Sequence, residues 1–202
     1  MYRSILPEYY QLATITENNS WHNNQNVLDH VIAVFAGLEK TLQFAFINTI
    51  TRKGIESYLT EKFGTYSKRE LLKIATILQD IAKTKTLITA SSGQTRCPGH
   101  EIIGSVMVKN FVDRFDLDLE GKERIKKIIL LHGFTHDLLG LIVAKGDPLL
   151  YFDLLKQAAP DFWIELLLLA YADMLGSDIQ QALPDDFKKR EKLIITFLEQ
   201  VR

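Results

Sequence analysis

Apolar residues recur three and four positions apart along nearly the whole chain, and no stretch alternates with a period of two. That periodicity predicts an all-α fold. No internal repeat and no Pro/Gly-rich linker divides the 202 residues, so the expectation is one helical bundle over 1–202. A first helix is predicted over 26–46, with Val27, Val31, Val34, Phe35, Leu38 and Leu42 as its apolar stripe, and a second over 51–62, ending before Gly64. Ser67-x-x-Glu70 is a capping-box signature and opens a third, which buries Leu71, Leu72, Ile74, Ala75, Leu78 and Ile81. Residues 83–97 read as a long polar loop, and Pro98 as the start of a helix reaching about 115. Further helices are predicted at 119–132, 135–144, 148–158, 161–176 and 185–201.

Composition narrows the function classes. The chain is 47% hydrophobic and 24% charged, with a net charge of −1, so it has no global basic field and strong nucleic-acid binding is not expected. Cys97 is the only cysteine, which precludes an intramolecular disulfide and fits a reducing, cytoplasmic setting. The first twenty residues show no apolar segment of the signal-peptide kind. The longest apolar run, 164–172, is interrupted by Glu165 and is too short to cross a bilayer, so no membrane association is expected.

Histidine or aspartate interrupts apolar helix at five places: His30, Asp80, His100, His132 and Asp173. Each has a plain explanation alone. A buried histidine commonly hydrogen-bonds a carbonyl, and Asp80 or Asp173 could pair with Lys83 or an arginine. Together they are the ligand types that suit zinc, iron, manganese or nickel, and a bundle can aim such side chains from several helices at one point.

The order of these residues resembles the HD-domain superfamily of metal-dependent phosphohydrolases. It runs His30, then Asp80 followed by Ile-Ala-Lys, then Gly99-His100-Glu101 with Gly104, then His132, then Ala172-Asp173. The nearest flavour is the HD domain of tRNA nucleotidyltransferases and poly(A) polymerases, and the resemblance covers about 26–178. The chain departs from the family at the name-giving pair, which here is Gln79-Asp80. A literal His136-Asp137 follows the Gly-His-Glu segment and lacks the trailing lysine, so it is read as a chance pair. The resemblance implies that His30, residue 79, Asp80 and Asp173 hold one divalent ion. It implies a second ion on His100 and His132 with Asp80 bridging, or a lone ion there. Gln79 offers only a neutral amide oxygen, which weakens the first position.

The resemblance also implies a small phosphorylated substrate. Lys83 would neutralise its phosphate, with Lys85 and Arg96 as further contacts, although solvated loop cations are the simpler reading of those two. Glu101 would serve as general base, as partner of a ligand histidine, or as an acid favoured by the first turn of its helix. His22, beside Trp21, is read as a surface or capping residue, and Cys97 has no neighbouring base to make it a nucleophile. The nucleotidyltransferase core that accompanies the resembled domain does not fit within these residues, so nucleotide addition is not expected. Three readings follow: a phosphohydrolase acting on a nucleotide or other small phosphoester, a degenerate HD domain that binds without hydrolysis, and an all-α module associated with RNA. The first is preferred because most metal-type positions are retained.

Overall fold

Caps written into the sequence set where the helices start. The computed structural model describes residues 6–201, so the first five residues of the N-terminal stretch read above lie outside it. A 3-10 helix, Pro7–Thr14, leads into strand β1 (Thr16–Glu17), which pairs antiparallel with β2 (Gln25–Asn26). The Asn26 side chain accepts from the amides of Leu28 and Asp29 and so starts α1 (Val27–Thr41). Asn48 does the same for α2 (Thr49–Thr60). A tight hairpin of β3 (Lys62–Phe63) and β4 (Tyr66–Ser67) follows, and the Ser67/Glu70 capping box opens α3 (Lys68–Leu78) as expected.

The polar segment after α3 is more ordered than a loop. It contains one helical turn, α4 (Lys83–Thr86), and a hairpin of β5 (Ile88–Thr89) with β6 (Thr95–Arg96). The next helix does not start at Pro98. It starts after Gly99, whose φ of +70° suits a residue without a side chain, and it runs in two pieces, α5 (His100–Met107) and α6 (Lys109–Val112).

Asp118 caps α7 (Leu119–Lys145), which is continuous where two helices were expected. Gly133 lies inside it without breaking it, because buried residues on both sides hold the helix to the core. At 27 residues α7 is long and apolar enough, by length and composition, to cross a membrane. Ile125, Ile128, Ile129, Leu138 and Leu139 are buried in the protein core. Then come α8 (Pro148–Ala158), α9 (Trp163–Gly176), α10 (Ile179–Ala182) and α11 (Pro184–Leu198).

The result is a single-domain, mostly helical bundle. Its centre is the pair α1 and α9, which touch through their backbones. A Cβ on Gly176 would come within 2.5 Å of the Val34 nitrogen, and one on Gly37 within 2.8 Å of the Ala172 carbonyl oxygen. That close approach brings His30 of α1 against Asp173 of α9.

Candidate metal centre

Four helices and the turn after α3 deliver polar side chains to one interior point. His30 comes from α1, Gln79 and Asp80 from the end of α3, His100 from the first turn of α5, His132 from the middle of α7, and Asp173 from α9. His30, Gln79, Asp80 and His132 are buried, and His100 and Asp173 are only slightly exposed.

The three histidines are oriented alike. Nδ1 of His30 lies 3.2 Å from the Gly176 carbonyl, Nδ1 of His100 lies 2.8 Å from Cys97 O, and Nδ1 of His132 lies 2.7 Å from Ile129 O. A carbonyl only accepts, so each Nδ1 carries a hydrogen and each Nε2 faces inward. His30 Nε2 is 3.0 Å from Asp173 Oδ1 and 3.4 Å from Asp80 Oδ2. His100 Nε2 is 3.4 Å from Asp80 Oδ1 and 3.2 Å from His132 Nε2.

Two ring nitrogens whose hydrogens sit on the far side cannot face each other at that distance without a cation between them or on one of them. Asp80 Oδ1, His100 Nε2 and His132 Nε2 all lie within 4.8 Å of one another, a donor set that fits a divalent transition ion. Asp80 Oδ2 reinforces the point. It lies 3.2 Å from Lys83 Nζ and 3.4 Å from His30 Nε2, yet makes no well-aligned hydrogen bond.

Without an ion, protons take up the imbalance. Burial disfavours the charged form of His30, but its bonds to Asp173 and Asp80 outweigh this and raise its pKa to about 9. His100 is also raised, against burial, by its hydrogen bond to Asp80 and that carboxylate's charge. His132 is pushed down to about 4 by burial and by the neighbouring His100. Burial would raise Asp80, but the charge of Lys83 and the His100 and His30 rings beside it hold it well below the usual carboxylate range. Burial opposes the ionised form of Asp173 too, and bonds from His136 and His30 overcome it.

The remaining expected residues fall into three positions. Glu101 stands at the rim, its Oε2 3.4 Å from His100 Nδ1, and Gly133 on α7 makes room for it, since a Cβ there would collide with Glu101 Oε1. Lys83 is buried, 2.6 Å from Glu17 Oε2 and 3.2 Å from Asp80 Oδ2, and both carboxylates keep it protonated despite burial. Arg96 is exposed on the β5–β6 hairpin and is not among the residues lining the cleft over the site.

Several residues of the site were not legible beforehand. His136 is one turn beyond His132, and its Nε2 lies 3.0 Å from Asp173 Oδ2, so the His136-Asp137 pair is not idle, although it is not the pair at the metal cluster. His22 is not a surface residue. It is buried, packs edge-on against the His30 ring at 4.6 Å, and its Nδ1 lies 2.7 Å from Gln25 Oε1. Glu17 ties Lys83 to the thiol of Cys97, whose pKa is pushed up to about 12, first by burial and then by Glu17. The periodicity of 132, 136 and 140 on one helix was the available signal for His136. Glu17 lies in a two-residue strand and carried none.

Over the cluster opens a cleft of about 660 Å³, lined by Asp80, Lys83, His100, Glu101, His132, Asp173 and the α7 face from Gly133 to Leu141, with Trp21 and Arg190. Its volume suits a small organic ligand. No protein-family model matches the chain, and no curated protein matches it.

Proposed function

We propose that this chain is a metal-dependent phosphohydrolase of the HD-domain type, acting on a nucleotide or another small phosphoester. The observation that supports this reading is the convergence of Asp80 Oδ1, His100 Nε2 and His132 Nε2 at the floor of a cleft large enough for such a ligand. Those three residues would hold a manganese, zinc, iron or nickel ion, with His30 and Asp173 beside them for a second. When bound, the ion supplies a Lewis acid for a phosphoryl oxygen and lowers the pKa of a water.

The chain's own residues do the rest. The carbonyls of Cys97, Ile129 and Gly176 fix the imidazole tautomers. Lys83 balances the buried charge of Asp80 and Glu17, and in this reading it positions Asp80 rather than gripping the phosphate. Glu101 is placed at the rim to accept a proton from an attacking water. The substrate is a small cytoplasmic molecule, not nucleic acid.

A second reading, a binding module without hydrolysis, draws on Gln79. Its Nε2 donates to Asp173 Oδ1 at 3.3 Å while its Oε1 is buried without a hydrogen bond, so this position engages Asp173 instead of adding a strong ligand. Metal analysis combined with a phosphoester screen separates the two. About one ion per chain, lost in Asp80→Asn and His132→Ala, together with metal-dependent release of phosphate, supports hydrolysis. Retained metal with no turnover favours the binding module. No metal after incubation with all four ions overturns hydrolysis, and a metal-free protein that still binds nucleotide favours the binding module.

A further inference from the structure

The cleft needs a cation for an anionic ligand, and the expected ones are not available for that task. Lys83 is engaged by two carboxylates at the floor, and Arg96 stands outside the lining. Arg190 of α11 is the other cleft-lining Lys or Arg among the described residues, and it has open donors. Its Nε donates to Asp186 Oδ2 at 2.9 Å and its Nη1 to the His136 carbonyl at 3.0 Å. Those two bonds use two of the five N–H groups that a guanidinium carries.

The group is held rigidly. Its carbon lies 5.1 Å from the Trp21 ring centroid, and its Nη2 packs on Gly140, where a Cβ would sit 3.0 Å away. Gly140 therefore keeps space beside Nη2 that any larger residue would narrow. A pre-oriented, mostly buried fork of this kind suits a phosphate or carboxylate and costs little ordering on binding.

Position gives the selectivity. His136 and Gly140 lie about 6 and 12 Å along α7 from the His132 position, at 1.5 Å per residue. We infer that Arg190 is a specificity-determining residue that receives a second anionic group, phosphate or carboxylate, several bonds from the phosphoryl group seated at Asp80, His100 and His132. The inference rests on the phosphoester reading above and names its substrate class as a phosphoester with two separated anions. Asp186 takes the Nε side of the guanidinium and the exposed Asp137 lines the same cleft, so the open Nη hydrogens are the ones left for the anion.

The test compares two probes on the manganese-incubated protein, adenosine 3′,5′-bisphosphate and adenosine 5′-monophosphate, by calorimetry. Wild type should prefer the bisphosphate by at least about tenfold. Arg190→Met should reduce that preference to within about twofold while monophosphate affinity and metal content hold. A merely structural Arg190 would weaken both probes equally, and that result overturns the inference, as does a wild type with no preference. If Arg190→Met does not fold, Gly140→Ala keeps Arg190 and its two bonds while crowding Nη2. It should lower the preference, and an unchanged preference would overturn the inference. An Arg190-dependent preference in protein that holds no manganese would sustain the inference and defeat the metal reading. Bound metal without the preference would do the reverse.

Discussion

One helix, α9, carries two acids eight residues apart, Glu165 fully buried and Asp173 only slightly exposed, and they sit under two different clefts. Glu165 lies beneath a cleft of about 670 Å³ lined by Tyr58, Phe63, Lys68, Arg124 and Trp163 among others. Asp173 lines the metal cleft of nearly equal size. Under the first, the charges are closed. Arg124 donates from Nε and Nη2 to Glu165, and its Nη2 also reaches the Tyr58 hydroxyl and the Asp161 carbonyl. Lys68 pairs with Glu61 and lies 3.6 Å over the Tyr58 ring. Under the second, Gln79 Oε1, Asp80 Oδ2 and His136 Nδ1 are buried without hydrogen bonds, and two histidine nitrogens face each other. Both clefts have nearly equal volume and both stand over buried charge, so neither property marks function here. The distinguishing property is an excess of inward-facing acceptors, which a structural ion pair does not have.

The largest effect should separate the clefts by stability. Arg124→Ala strands Glu165 in the core and should cost about 3–5 kcal/mol, measured by urea unfolding. His132→Leu removes a neutral ring from a crowded acceptor cluster, and in metal-free protein it should shift stability by no more than about 1 kcal/mol while abolishing metal binding. Equal losses in the two variants would erase the distinction between a structural and a functional buried charge.

In sequence the two acids look alike, each a carboxylate within an apolar helix, and this explains what could and could not be read. Helix periodicity revealed the fold class, and the capping box at Ser67 placed α3, because both are local properties of the chain. His30, Asp80, His100, His132 and Asp173 were legible because each interrupts an apolar stripe. Pairing was not legible, since it depends on which helices meet. Lys83 reads as a phosphate ligand in the sequence, and its ion pair with Glu17, 66 positions away, has no local signal. Arg190 lies in a helix rich in charge, where nothing local sets it apart. The continuity of α7 has no local signal, because packing on both sides of Gly133 overrides the weak helix propensity of glycine.

A smaller effect is expected from pH. In metal-free protein the pKa of His30 is raised from 6.5 to about 9 by Asp173 and Asp80, against burial. A group raised in the folded state contributes stability that is fully present below its unfolded pKa and is lost as pH rises through the folded one. Stability in the presence of chelator should therefore fall between pH 6.5 and 9, with His30 contributing at most about 1.4 kcal/mol per pH unit, and His30→Phe should remove that contribution while leaving the one from His100, which is also raised. A saturating divalent ion should flatten the fall, because the ion competes with the His30 proton for Asp80 and binds better as protons leave. A slope unchanged by metal would mean that the ion does not reach this carboxylate cluster. Arg124→Ala, acting under the other cleft, should lower the whole profile without changing its slope.

The smallest effect sharpens the comparison most, because it concerns one residue that shares features of both clefts. Gln79 is a closed pair on one side, its Nε2 on Asp173, and an open acceptor on the other, its buried Oε1. Gln79→His replaces a weak amide ligand with an imidazole close to His30 and Asp173. Metal affinity should rise about tenfold, equivalent to about 1.4 kcal/mol, with a second ion appearing in titration calorimetry. Gln79→Ala should leave the ion at Asp80, His100 and His132 bound within about threefold of wild type, since the amide belongs to the neighbouring position. If Gln79→His gains nothing, His30 and His136 keep Asp173 from a metal, and the His30–Asp173 side is as closed as the Arg124–Glu165 pair. The metal centre would then be the three-residue cluster alone, and the boundary between structural and functional charge would run through the interior of a single site.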